Sequence, residues 1–70
     1  MTDTPLTRAM AKVQAFGAEA ILDAREAAAA LSMSRSQFDR LGFACLDFGE
    51  RTKRYRYGSL VKQVHDREAA

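Results

Sequence analysis

Residues 23–41 read DAREAAAALSMSRSQFDRL, and two helix starts inside this stretch decide the fold. Asp23 can accept a hydrogen bond from the free backbone amides of a new helix, and Glu26 lies three residues on, where it completes a capping box. The alanines that follow favour a helix and, being short, let a second helix approach closely. The sequence therefore predicts a helix from Ala24 to Leu31.

The second helix start follows after a link of only two residues. Ser34 can cap a helix that we predict from Arg35 to Leu41, with Phe38 and Leu41 as an apolar stripe that faces the interior. The link is too short for antiparallel packing and suits a sharp turn with Met33 pointing inwards. The two helices together predict helix-turn-helix geometry.

After Gly42 the sequence gains aromatic and alternating character, which predicts a β-hairpin. Its strands are expected at residues 43–48 and 53–57, with the connection at residues 49–52. In the second strand the tyrosines can pack inwards while the arginines point outwards. The two faces consist of Lys53, Tyr55 and Tyr57 on one side and Thr52, Arg54 and Arg56 on the other.

An N-terminal helix is predicted to end near Gly17, because apolar residues recur at helical spacing after Pro5. Arg8 and Lys12 are expected on its other side. The apolar stripe can cover the small core, or it can serve self-association or a partner. Its members are Leu6, Met10, Val13 and Phe16.

The predicted fold class is mainly α with a small β-hairpin, in the order of a winged helix-turn-helix with an extra N-terminal helix. A last helix is expected from Ser59 to His65. The predicted organisation is an N-terminal helix in residues 1–20, a winged helix-turn-helix domain in residues 21–66 and a frayed tail in residues 67–70.

Length and composition exclude several function classes. A chain of 70 residues buries only about 60% of its unfolded surface, which leaves little room for an enclosed active site. No apolar run is long enough to cross a membrane, and the first residues, MTDTPLTRAM, lack a secretory signal. We expect a cytoplasmic, nucleoid-associated protein.

The sequence offers no catalytic or metal-binding arrangement. The single cysteine, Cys45, and the single histidine, His65, cannot form a disulfide or a four-ligand metal site within one chain. Cys45 is expected to be a small buried hydrophobe, and His65 a surface residue. We predict that the chain is not an enzyme and needs no cofactor or metal.

The predicted hairpin concentrates positive charge, since residues 51–57 read RTKRYRY with four cations and no acid while the whole chain has a net charge of only +2. Such cations can neutralise DNA phosphates, and an arginine at a hairpin tip can enter the minor groove. The alternative is a charged strand edge that discourages aggregation. The predicted backbone-contacting residues are Arg51, Thr52, Lys53, Arg54 and Arg56.

The second helix of the pair presents residue types that read bases. Arginine can donate two hydrogen bonds to guanine, glutamine can pair with adenine, and aspartate can accept from cytosine or orient an arginine. The alternative is an ordinary solvated helix face. The predicted base-reading residues are Arg35, Ser36, Gln37, Asp39 and Arg40.

The stretches ILDAREAAAALSMSRSQFDRL and FGERTKRYRYGSLVKQV resemble the excisionase-like branch of the MerR-type winged-helix proteins, over roughly residues 21 to 65. Ser32 stands where that family has a turn glycine, and Ser59 where it has an acidic residue. The resemblance implies a phage or mobile-element protein that bends DNA, binds in cooperative rows and directs an integrase towards excision. The matching residues are Glu26, Ala27, Ala28, Leu31, Ser34, Arg35, Ser36, Arg40, Gly49, Arg51, Arg54, Arg56 and Leu60.

The function expected from these features is sequence-selective binding of double-stranded DNA, as an excisionase or a small transcriptional regulator. The expected partners are DNA, an integrase or RNA polymerase, and further copies of the chain on DNA, with no membrane. A DNA-recognition domain of a phage-packaging subunit is a related alternative. A different class is a protein-interaction module that binds or inhibits a protein through the N-terminal helix.

Overall fold

A computed structural model of the chain describes residues 4–47 and 53–68, and in this part the fold is mainly helical with a small antiparallel sheet, as the sequence predicts. None of the described helices is long and apolar enough to cross a membrane. The elements are, in order, α1 (Pro5–Phe16), a 3-10 helix (Gly17–Glu19), β1 (Ile21–Asp23), α2 (Ala24–Ala30), α3 (Arg35–Leu41), β2 (Leu46–Asp47), β3 (Lys53–Arg56) and α4 (Tyr57–Glu68).

Both predicted helix starts are confirmed. The Asp23 carboxylate accepts from the Glu26 amide at 2.8 Å, and the Glu26 carboxylate accepts from the Asp23 amide at 3.0 Å, which completes the capping box. The Ser34 hydroxyl accepts from the Gln37 amide at 3.1 Å. These local signals predict helix starts well because donor and acceptor lie only three residues apart.

The turn between α2 and α3 closes on the end of α2, which stops one residue earlier than predicted. The amide of Ser32 donates to the Ala29 carbonyl at 3.0 Å, and the amide of Met33 donates to the Ala28 carbonyl at 2.9 Å. This is the Schellman pattern, which requires a left-handed residue at its centre. Ser32 takes that conformation, with φ 58°, although it is not a glycine. Met33 packs against the core, as predicted.

The sheet has three strands in the order β1-β3-β2, and both neighbouring pairs are antiparallel. The sequence predicted only a hairpin, so β1, which places Leu22 opposite Tyr55, was missed. Of the first predicted hairpin strand, 43–48, residues 43–45 are not strand, Leu46 and Asp47 form β2, and residue 48 lies outside the described residues. Tyr57 begins α4 instead of ending a strand.

Phe38 is the centre of the core and is 1% exposed. Its ring lies 5.2 Å from the Phe43 ring in a stacked arrangement and 4.9 Å from the Tyr55 ring in an edge-to-face arrangement. Leu22 and Leu60 are fully buried around them. Tyr55 therefore packs inwards as predicted, whereas Leu41, also predicted to face the interior, is 37% exposed.

The face that α1 turns to the core differs from the predicted one. Ala9 is fully buried and Val13 packs against the core. Arg8 and Lys12, predicted on the opposite side, reach the buried carboxylate of Glu26 on α2. Most of the predicted apolar stripe faces outwards instead, with Leu6 at 49%, Met10 at 38% and Phe16 at 66% exposure.

Helix α4 is longer than predicted at both ends, since it begins at Tyr57 and continues to Glu68. Its start fits closely against the 3-10 helix, because a Cβ on Gly58 would lie 2.9 Å from the Ala18 Cβ. Because α4 continues to Glu68, Arg67 and Glu68 are helical, although both belong to the tail that was expected to fray. Residues 69–70 lie outside the described residues.

Candidate nucleic-acid interface

Helix α3 is anchored by one side and exposed on the other. Phe38 is buried, while Ser36, Gln37 and Arg40 are exposed. The capping Ser34 and the left-handed Gly42 fix the two ends of the helix. The polar face of α3 is therefore a rigid surface that solvent or a ligand can reach.

Two of the predicted base-reading residues are bound to each other. The Arg35 Nε donates to the Asp39 Oδ1 at 3.1 Å, with side chains that are 53% and 55% exposed. An exposed pair one helical turn apart contributes only about 0.3–0.5 kcal/mol. Either partner can therefore exchange this contact for another at little cost.

The predicted backbone-contacting residues divide into three groups. Lys53 is exposed, and Arg54, which is half-buried, donates from Nη1 to the Lys53 carbonyl at 3.2 Å. Arg56 lies at the other end of β3, where it pairs with Glu19 at 3.2 Å. Arg51 and Thr52 lie outside the described residues.

An open cleft of about 660 Å³ lies where α2, α3 and β3 meet. It brings cations from separate parts of the sequence together above the aromatic core residues Phe38, Phe43 and Tyr55, and it excludes Arg56. Its acidic residues are Asp23 and Asp39. Its cations are Arg8, Arg25, Arg35, Lys53 and Arg54.

Burial, hydrogen bonds and nearby charges shift the pKa values of two groups in and beside the cleft, Tyr55 and Glu26. Burial raises the pKa of the Tyr55 hydroxyl, and the neighbouring acidic groups of Cys45 and Asp39 add to that rise. Burial also opposes ionisation of Glu26, but the hydrogen bonds from Lys12 and from the Asp23 amide outweigh it and lower the pKa of Glu26. Glu26 is thus a stable anion that ties α1 to α2.

The segment after α3 is held by the C-terminal half of α4. The Arg67 Nη2 donates to the Leu41 carbonyl at 3.1 Å, and its guanidinium lies 4.5 Å from the centre of the Phe43 ring. The Gln63 Oε1 accepts from the Ala44 amide at 3.0 Å. These contacts fix the end of α3. Sequence reasoning missed those of Arg67 because the tail was expected to fray, and that of Gln63 because it joins residues 19 positions apart.

Sequence reasoning also missed Arg25, which lines the cleft from the first turn of α2. The sequence did contain a signal for Arg25. The positive end of the helix dipole disfavours a cation in the first turn of a helix, so a cation at that position needs another reason.

The prediction for Cys45 was wrong, since this residue is exposed instead of buried. His65 is exposed, as predicted. Within residues 4–47 and 53–68, no group of histidine, cysteine and acidic residues could hold a metal ion.

No protein-family model matches this chain, and neither a curated protein nor a solved structure matches it. The resemblance to the excisionase-like proteins therefore stays a prediction.

Proposed function

We propose that this chain binds double-stranded DNA as a winged helix-turn-helix protein. Helix α3 lies in the major groove, and the β2/β3 pair is the wing that contacts the backbone beside it. The observation that supports this function best is the convergence of cations from α3 and β3 on one cleft, next to a helix whose outer face is polar and exposed.

The chemistry of the two surfaces suits different parts of a duplex. A major groove about 12 Å wide admits an α-helix, and Gln37 and Arg40 can then hydrogen-bond to base edges, with Ser36 beside them. Arg35 and Asp39 can join them once their own weak pair opens. Lys53 and Arg54 neutralise phosphates, which supplies affinity and orientation but no sequence choice. Arg56 has the same role once its exposed ion pair with Glu19 opens and its guanidinium binds a phosphate instead.

The proposed biological role is an excisionase or a small transcriptional regulator, and the resemblance to the excisionase-like proteins favours it. In that role several copies bind neighbouring DNA sites, and the protein partner is an integrase or RNA polymerase. The proposed place of action is the cytoplasm, on the nucleoid.

A salt titration tests DNA binding. The chain is mixed with a random-sequence duplex in gel-shift assays from low to moderate salt. Because each neutralised phosphate adds about 0.9 to the slope of log affinity against log salt, several contacts give a steep fall in affinity. Selection of bound duplexes from a random pool then tests sequence choice. A chain that binds no duplex at low salt does not have the proposed function.

A protein-interaction module is the second candidate function, and the exposure of Leu6, Met10 and Phe16 on α1 favours it. Exposed apolar side chains along one helix face suit the apolar groove of a protein partner. This candidate gains support when DNA binding fails at low salt and replacing Met10 and Phe16 by glutamine leaves the fold intact.

A further inference from the structure

Arg25 is a positively charged residue at a position of α2 where a positive charge is unfavourable. It lies in the first turn of α2, two residues after the cap Asp23, where the helix dipole opposes positive charge. Its side chain is exposed and makes no hydrogen bond or ion pair within residues 4–47 and 53–68. Its place is therefore not explained by helix stability, by a hydrogen bond or by an ion pair within the described residues.

Arg25 lies in the same cleft as two cations of β3. Lys53 and Arg54 line that cleft from a strand almost thirty residues further along the chain. The Lys53 ammonium also makes no ion pair with a described residue, and Arg54 donates only to a neutral carbonyl. Three cations from two elements thus line one cleft, and none of them forms an ion pair with a described residue.

Both acids of the cleft, Asp23 and Asp39, already accept a hydrogen bond within the fold. Asp23 accepts from the Glu26 amide at 2.8 Å, as the cap of α2. Asp39 accepts from Arg35 at 3.1 Å. Because five cations and only these two acids line the cleft, it keeps an excess of positive charge, which an anion from outside can neutralise.

We propose that Arg25, Lys53 and Arg54 together bind one phosphate of the DNA backbone in this cleft. The inference rests on the proposed DNA binding and deepens it, because it makes α2 a third contacting element beside α3 and β3. Guanidinium groups bind phosphate oxygens in a fixed, often bidentate geometry, and a lysine adds a point charge. The cleft is open, so the phosphate can remain part of a polymer strand.

The experiment compares the full chain with Arg25→Gln, Arg54→Gln, the double variant and Arg25→Lys, on two unrelated duplexes across a salt series. Lys62→Gln is the matched control, since Lys62 is exposed on α4 and does not line the cleft. Thermal unfolding of each variant checks that the fold is kept. All affinities are measured by fluorescence anisotropy of labelled duplexes.

Arg25→Gln is expected to weaken binding to both duplexes by the same factor, and Arg25→Lys to restore most of the loss. The double variant is expected to lower the salt slope by about 0.9, the value for one phosphate, instead of twice that amount. Lys62→Gln is expected to keep the wild-type slope.

Three results would overturn the proposal. If Arg25→Gln behaves like Lys62→Gln while the wild type binds with a steep slope, the cleft does not hold a phosphate and the DNA-binding function stands. If Arg25→Gln changes the preference between the two duplexes, Arg25 contacts bases. If the wild type binds neither duplex at low salt, the proposed function and the phosphate site fail together.

Discussion

Two ionic contacts in this molecule use the same chemistry in opposite surroundings. Glu26 is 1% exposed and receives the Lys12 ammonium at 2.7 Å and the Arg8 guanidinium at 3.3 Å. Asp39 is 55% exposed and, among the described residues, receives only Arg35, at 3.1 Å. The first contact joins two helices across the fold, whereas the second joins two residues of one helix turn. The same charges are therefore structural in one place and exchangeable in the other.

The difference follows from what surrounds each carboxylate. A buried carboxylate without partners is very costly, so Glu26 holds α1 in the one position that supplies its cations. A solvated carboxylate loses little when its partner leaves, because water replaces the contact. An interface for a charged ligand needs the second kind of contact, since its cations must become available on binding.

The largest effect is expected from Glu26→Ala. This change removes the capping bond to the Asp23 amide and leaves Lys12 and Arg8 without their common acceptor. Losing the capping-box bond and both ion pairs costs about 2 kcal/mol in the free energy of unfolding, because Lys12 and Arg8 are partly exposed and regain water. Urea denaturation measures the loss. Glu19→Ala, which breaks an exposed pair, serves as the control and is expected to cost less than about 0.5 kcal/mol. Equal losses for both variants would contradict the distinction between the two kinds of contact.

A smaller effect is expected when the pH is lowered. Because the folded state lowers the pKa of Glu26 below its ordinary value of 4.5, ionised Glu26 stabilises the fold above that pH. This contribution is lost as the pH falls below 4.5 and through the lowered pKa. The stability difference between the wild type and Glu26→Gln is therefore expected to be constant near neutral pH and to shrink in acid. Thermal unfolding at several pH values measures it, and a difference that grows in acid would give the shift the opposite sign.

The sequence predicts best what depends on neighbours in the chain. Asp23 with Glu26, and Ser34 with Gln37, locate the starts of α2 and α3 because caps are local. Strand β1 depends on Leu22 meeting Tyr55, thirty-three residues away, and no periodicity signals that pairing. The polar face of α3 could also be predicted, because it depends on residues within one helix. The cleft could not be predicted, because it forms only where residues of several elements meet.

The error on α1 has a different physical origin. An apolar stripe at helical spacing favours Leu6, Met10 and Phe16 as the inner face. The inner face instead uses the small Ala9, which lets α1 approach the alanines of α2, and Lys12, which neutralises the charge of Glu26. Close backbone approach and neutralisation of a buried charge outweigh the burial of larger side chains here. Which face of α1 packs inwards depends on the partner helix α2, so the sequence of α1 alone does not predict it.

The smallest effect on stability is expected from Asp39→Asn, which keeps the shape of the side chain and removes its charge. The free energy of unfolding is expected to change by less than about 0.5 kcal/mol, because the lost pair with Arg35 is exposed. Affinity for a random-sequence duplex is expected to rise roughly threefold at low salt, since one negative charge leaves the surface that meets the phosphates. Urea denaturation and anisotropy titrations measure the two quantities on the same sample.

Glu68→Gln, which removes an exposed acid at the far end of α4, is the matched control for net charge. A rise in affinity that is equal in both variants would mean that overall charge, and not the position of Asp39 in the cleft, governs binding. A loss of stability above about 1 kcal/mol would place Asp39 with Glu26 among the structural charges, and the contrast between the two contacts would no longer hold.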